Sequence, residues 1–134
     1  MTSKKVKTAE VDRSLYLNYQ RKAEEFYKAM LHAEKEGYWN AVGLNAVHCA
    51  ISIADALLVR YSGMRSIDAD HMVALDLMKQ NLKIDGVGDK LSAFRRILAK
   101  KSLIEYDNAV FSQHDAREIL KQAERFYIWA RQEL

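Results

Sequence analysis

The segment from Trp39 to Val59 is apolar on almost every side and contains no Lys, Arg or Glu. At about 100° per residue, this pattern predicts a single buried helix. Its main polar side chains recur at steps of three or four residues and so share one narrow stripe: Asn45, His48, Ser52 and Asp55. An ionisable side chain buried without a partner is costly, so we expect this stripe to face something specific.

Apolar residues recur at intervals of three and four along most of the remaining chain, and there is no proline. These features predict an all-α protein without strands. We expect an up-and-down helical bundle of four long helices and one shorter helix, at about residues 9–36, 39–63, 68–82, 89–106 and from 112 onward. Gly37 predicts a left-handed end of the first helix, and Ser112 with Asp115 resembles a weak capping box that opens the last.

The length of 134 residues favours one domain with one core. We place this domain at residues 9–134, after a basic and flexible N-terminal segment at residues 1–8. The composition, 49% hydrophobic and 29% charged, is typical of a soluble globular protein. The start of the chain has no signal or anchor pattern, and His48 and Asp55 interrupt the apolar helix. We therefore expect no membrane contact and a cytoplasmic location, in which the single cysteine, Cys49, is an inert buried thiol.

The net charge of +3 permits contact with nucleic acid or with nucleotide phosphates without arguing for it. No DNA-specific motif is visible. The sequence also lacks a Cys-His zinc spacing, the paired Glu-x-x-His of di-iron bundles and a glycine-rich phosphate loop before a helix. We therefore expect no metal and no cofactor.

Two further helices carry a polar residue where an apolar one is expected. Lys101 falls within the apolar arc of the fourth helix, and His71 begins the apolar face of the third. We expect these side chains to form one cluster between helices with polar residues of the second helix and of the loop that follows it: His48, Asp55, His71 and Lys101, with Arg65 and Asp70.

Such a cluster has clear chemical uses, because a carboxylate fixes the tautomer of an imidazole and a Lys or Arg can hold a phosphate. Three interpretations stay open from the residues alone. The cluster is a ligand-binding or catalytic site, a structural network of satisfied polar groups, or a helix–helix or dimer interface.

The order of several short motifs resembles a HEPN domain (higher eukaryotes and prokaryotes nucleotide-binding). The resemblance covers nearly the whole chain. It rests on the stretch 38–58 with His48 and Asp55, on Gly63-Met-Arg65-Ser, on Asp70-His71, on Lys101-Ser-Leu-Ile-Glu-Tyr106-Asp, and on the closing segment 123–130. The resemblance implies a compact all-α bundle, usually homodimeric, that binds nucleotides or RNA or acts as a metal-independent ribonuclease in toxin-antitoxin or defence systems.

Active members of this family carry an Arg, then four to six residues, then a His. Arg65 and His71 fit this spacing, although in the nuclease branches the motif usually lies nearer the last helices. If the protein is an enzyme, the resemblance points to the candidate catalytic residues His71, Arg65, His48 and Lys101. The candidate ligand-binding residues are Asn45, His48, Ser52, Asp55, Asp70 and Tyr106.

Three functions follow as expectations. The first is a HEPN-like module that binds a nucleotide or RNA in a polar crevice between helices. The second is a metal-independent endoribonuclease, with an antitoxin as a candidate partner. The third is a non-catalytic dimeric adaptor whose polar cluster only fixes packing. For a homodimer, the tyrosines of the first helix, taken as exposed, and the aromatic end of the last helix are equal candidates for the interface.

Overall fold

A computed structural model describes residues 7–106 and 110–134, except for the side chain of residue 106. Within this part of the chain there are six α-helices, one 3-10 helix at Arg13–Leu15 and two short strands. The strands are β1 (Thr8–Glu10) and β2 (Met64–Ser66), and the helices are α1 (Tyr16–Glu36), α2 (Trp39–Ser62), α3 (Val73–Asn81), α4 (Val87–Ala99), α5 (Lys101–Tyr106) and α6 (Gln113–Glu133). The predicted all-α bundle is confirmed.

The apolar helix α2 is the centre of the core. It packs mainly against α1 and α6, and most of its residues between Val42 and Val59 are buried. The helix is long and apolar enough to cross a membrane, with a mean hydropathy of 1.7 over its most apolar window, but 72% of that window is buried inside the domain. This burial is typical of a core helix, because a spanning helix presents its apolar side chains to lipid.

The predicted C-terminal end of α1 and the predicted start of α6 are confirmed by their caps. Gly37 has a φ of 73°, and the backbone N–H of Tyr38 donates to the carbonyl of Ala33 at 2.9 Å, as in a Schellman motif. At the start of α6, the Ser112 hydroxyl accepts from the Asp115 N–H at 3.0 Å, and the Asp115 carboxylate accepts from the Ser112 N–H at 3.3 Å. This is a complete capping box.

The expectation that the first helix begins near Ala9 and that the chain has no strand was wrong. Residues Thr8–Glu10 form β1, which pairs antiparallel with β2, with Ala9 opposite Arg65. Asp12 then caps the 3-10 helix by accepting from the backbone N–H of Ser14 at 2.9 Å, and α1 begins only at Tyr16. The strands pair segments that are far apart in sequence, so no local periodicity reveals them.

The third and fourth predicted helices also differ from the structure. The third begins at Val73 rather than near residue 68, because Asp68 and Asp70 bond the backbone of the preceding loop with their side chains. The fourth is divided in two: α4 ends at Ala99, where the Lys100 N–H bonds the Ile97 carbonyl three residues back at 3.1 Å, and α5 starts at Lys101. Ile104 of α5 lies against Gly43 of α2.

Candidate functional site

The polar stripe of α2 meets different surroundings along its length. Asn45 is satisfied within its own helix, because its side-chain amide donates to the Ala41 carbonyl at 2.8 Å. The side chain of His48 is 38% exposed, whereas Ser52 and Asp55 are buried. His48 is therefore accessible to a ligand, whereas Ser52 and Asp55 are not.

His48 lies beside two charged residues of α5. Glu105 accepts a hydrogen bond from the Lys101 ammonium at 2.8 Å through one carboxylate oxygen, and its other oxygen lies 3.8 Å from Nε2 of His48. Lys101 and Glu105 are four residues apart, so the helical α5 places both on one face. A single carboxylate thus joins the imidazole of α2 to the ammonium of α5.

His71 and Lys101 line one cavity of about 370 Å³, which we call the His71 crevice. Its lining residues come from the loop before α3, from the end of α4 and from the start of α5: Ala69, Asp70, His71, Met72, Leu98, Ala99, Lys101 and Ser102. A volume of this size suits a small ligand or part of a larger one.

The surroundings of His71 keep its imidazole in the neutral form. Partial burial is the main cause that lowers the pKa of His71, and the positive charges of Lys101 and His48 lower it further. The carboxylates of Glu105 and Asp70 act in the opposite direction without reversing the shift. At neutral pH, His71 therefore offers the crevice one nitrogen that can accept a hydrogen bond and one that can donate.

The loop that carries His71 is held by three consecutive bonds from side chains to backbone. The Ser66 hydroxyl accepts from the Asp68 N–H at 3.3 Å, the Asp68 carboxylate from the Asp70 N–H at 3.0 Å, and the Asp70 carboxylate from the Met72 N–H at 3.0 Å. Each bond closes a turn two residues long. Together they run without interruption from β2 to the start of α3.

Asp55 and Arg65 form a separate pair, in which Nη2 of Arg65 lies 3.3 Å from the Asp55 carboxylate. The guanidinium also lies over the ring of Tyr19, 5.2 Å from its centroid. Burial raises the pKa of Asp55 to about 6, although Arg65 and Lys22 lower it in part. Asp55 is two helical turns, about 10 Å along the axis, from His48.

The sequence matches a known family over nearly its full length. The family model described as HEPN domain matches residues 16–133, from the first residue of α1 to the last of α6. The chain belongs to the HEPN domain family. A comparison of the sequence with curated proteins returns no match.

Not all predicted site residues of this HEPN domain lie together. His71, Lys101 and Asp70 line the His71 crevice, and His48 is joined to it through Glu105. Asp55 pairs with Arg65 outside this group, and Asn45 bonds its own helix. Ser52 is buried between His48 and Asp55 on α2. The side chain of Tyr106 lies outside the described residues.

Sequence reasoning did not include Glu105 among the site residues. The sequence feature that could have revealed Glu105 is its position four residues after Lys101, because this spacing places a carboxylate and an ammonium on one face of a short helix. Within residues 7–106 and 110–134, no group of three or more His, Cys, Asp and Glu side chains has the arrangement of a metal site.

The two candidate dimer faces of this HEPN domain are less exposed than expected. Tyr27 of α1 is half-buried and stacks on Tyr127 of α6, with ring centroids 4.4 Å apart. Phe126 is fully buried and stacks on Phe94 at 4.9 Å. These rings therefore belong to the core between helices, and Trp129 is half-buried beside Phe126.

Proposed function

We propose that this HEPN protein binds a phosphate-bearing ligand, a nucleotide or an RNA, in the His71 crevice. The observation that carries the proposal is that the Lys101 ammonium and the half-buried imidazole of His71 line the same opening of about 370 Å³. A cation and a neutral imidazole in one partly desolvated cavity match the oxygens of a phosphate, which accept hydrogen bonds and carry negative charge.

Each residue of the crevice has a role in this proposal. Lys101 supplies the charge, His71 supplies a ring N–H, and the Ser102 hydroxyl at the lining can donate a further hydrogen bond. Glu105 holds Lys101 and faces His48, so it orients the cation and the second imidazole. A bound phosphate shares Lys101 with Glu105, which keeps the affinity for isolated phosphate low and favours ligands that add base or sugar contacts.

Calorimetric titration of the purified protein with ATP and with a short single-stranded RNA tests this proposal. We expect Lys101→Met to weaken binding at least about tenfold, since a hydrogen bond to a charged group is worth roughly 1.5–3 kcal/mol. Lys100→Met is the matched control: Lys100 is exposed, precedes Lys101 directly and does not line the crevice. Equal affinities of both variants and the wild type would contradict the proposal.

The state of His71 favours an endoribonuclease as the second candidate. A general base must be neutral at working pH, and the pKa of His71 is lowered by burial and by Lys101. In this function His71 accepts the proton of a ribose 2′-hydroxyl as its oxygen attacks the adjacent phosphorus. Lys101 stabilises the pentavalent phosphate, and His48 gives a proton to the departing 5′-oxygen.

The substitution His71→Ala separates the three candidate functions. A ribonuclease loses RNA cleavage and any growth defect on overexpression. A binding module without catalysis keeps its fold but binds nucleotide or RNA more weakly. An adaptor binds neither ligand before or after the substitution, and its polar groups matter only for stability. Gel analysis of RNA products together with the calorimetric titration distinguishes these outcomes.

We infer that the protein acts in the cytoplasm as a homodimer, as HEPN domains often do, with an antitoxin as a candidate partner if it is a toxin. The family assignment and the burial of α2 inside the domain support this inference. Light scattering on the eluting protein measures its mass, and a mass of one chain at micromolar concentration would contradict the homodimer.

A further inference from the structure

We propose that Asp55 and Arg65 act as a clamp that positions His71, so that Arg65 serves the crevice through the loop rather than by touching the ligand. The proposal rests on the function proposed for the His71 crevice, whose geometry the clamp would set. It gives Arg65 and Asp55 the role of positioning residues.

The first step is that Arg65 is fixed on several sides. Its guanidinium lies between the Asp55 carboxylate at 3.3 Å and the Tyr19 ring at 5.2 Å. Its Nε is buried, and no hydrogen-bond partner for it is present in the described part of the chain. Its backbone lies in β2, opposite Ala9 of β1. Since the Asp55 side chain is only 10% exposed, removal of the Arg65 charge leaves the Asp55 carboxylate in a poorly solvated place.

The second step is that the loop connects Arg65 rigidly to His71. Ser66, the next residue, begins the three consecutive turns that end at the Met72 N–H. Every second residue from Ser66 to Asp70 therefore uses its side chain to fix the backbone two residues ahead. His71 lies inside the last of these turns, six residues after Arg65.

The third step is that the position of His71 determines its chemistry. Burial and the charges of Lys101 and His48 lower the pKa of His71 only while the loop holds the imidazole beside α5 and α2. If the clamp opens, the imidazole gains solvent, which removes the main cause of the lowered pKa, and it moves away from Lys101, His48 and Glu105 together. The pKa of His71 then rises toward the value of an exposed histidine.

The titration of the His71 ring by NMR, in the full chain without ligand, tests the clamp. In Asp55→Ala we expect the pKa of His71 to rise, and 15N relaxation to show larger motion of the Asp68 and Asp70 amides. The loss of a negative charge by itself can only lower the pKa of an imidazole, so a rise reports movement of the loop. Asp55→Asn keeps the shape of the side chain, and the same measurement is made on this variant if the alanine variant does not fold.

Asp76→Asn is the matched control, since Asp76 is an exposed carboxylate of α3 outside the pair. In this control we expect no rise in the pKa of His71 and unchanged loop amides. An unchanged or lowered pKa of His71 in both Asp55 variants, with unaltered loop relaxation, would overturn the clamp. Reduced affinity for RNA in those variants without any change at His71 would also overturn it, because Arg65 would then contact the ligand directly.

This experiment is independent of the proposed function. If the wild-type protein binds neither ATP nor RNA, the proposed function fails, but the response of His71 to Asp55 substitutions still supports or overturns the clamp. If the wild type binds and His71 does not respond, the clamp alone fails.

Discussion

Asp55 is the residue at which burial and charge oppose each other most directly. Its side chain lies on the central helix, where the surrounding residues from Ala54 to Val59 are buried. Arg65 and Lys22 favour the carboxylate form, yet burial outweighs them and raises the pKa of Asp55 to about 6. A neutral side chain of the same shape would be easier to accommodate there, so stability alone does not account for this aspartate.

The raised pKa of Asp55 predicts a pH dependence of stability. A carboxyl with a pKa of 3.8 in the unfolded chain and about 6 in the folded protein binds its proton more readily when folded. Its stabilising contribution is therefore complete below about pH 4 and is lost as the pH rises through 6. Relative to Asp55→Asn, we expect the wild type to lose about 2 kcal/mol of unfolding free energy from pH 4 to pH 7.

Urea unfolding of both proteins at several pH values from 4 to 7 measures this difference. The Asn variant serves as the reference for all other titrating groups, since they are common to both proteins. A wild type that gains stability over the variant as the pH rises would show that Arg65 outweighs burial at this position.

At the scale of elements, the contact between α2 and α5 depends on one residue without a side chain. A Cβ atom added at Gly43 would lie 2.9 Å from Cε2 of Phe111 and 3.0 Å from Cδ1 of Ile104. The ring of Phe111 is 5% exposed and therefore has little room to move. Gly43 thus allows α5, which carries Lys101 and Glu105, to lie close to α2.

We therefore expect Gly43→Ala to lower the unfolding free energy by about 1–2 kcal/mol, because overpacking exceeds the gain of about 1 kcal/mol in helix propensity. Gly88→Ala is the matched control, since Gly88 lies in α4 and nothing lies within 4 Å of the position that its Cβ would occupy. Thermal and urea unfolding of both variants measure the effects. An increase in stability for Gly43→Ala as large as that for Gly88→Ala would contradict the close contact.

The elements show which parts of the fold a single sequence can predict. The faces of α1, α2 and α6, the C-terminal end of α1, both ends of α2 and the start of α6 follow from local periodicity and local caps, and these were predicted. The pairing of β1 with β2 joins distant segments, and the break between α4 and α5 has no proline or glycine to mark it. Neither feature has a local signal, so both were missed.

As with the fold, part of the candidate site could be predicted from the sequence and part could not. His48, His71 and Lys101 were noticed because polar residues occupied apolar positions, and the structure places them around Glu105 and the His71 crevice. The partner of Asp55 depends on where β2 lies, which required the strand pairing. Likewise, the three consecutive turns from Ser66 to Met72 can be recognised only once the start of α3 is known.

At the scale of the whole molecule, one HEPN domain at residues 16–133 presents a crevice at one side of its central helix. The crevice lies where α5 meets the loop before α3, with His48 of α2 beside it. The core aromatic rings of α1 and α6 lie within the bundle. The arrangement places His71 and Lys101 at the opening of the crevice, while most residues of the central helix between Val42 and Val59 are buried.

The titration of the His71 imidazole by NMR, with and without saturating ATP or short RNA, tests the central claim most directly. A bound phosphate lies near the ring in our account, and its negative charge stabilises the imidazolium. We therefore predict that either ligand shifts the His71 ring signals and raises the pKa of His71 above its lowered value in the free protein. Saturation with ligand that leaves the ring signals and the pKa of His71 unchanged would contradict the account.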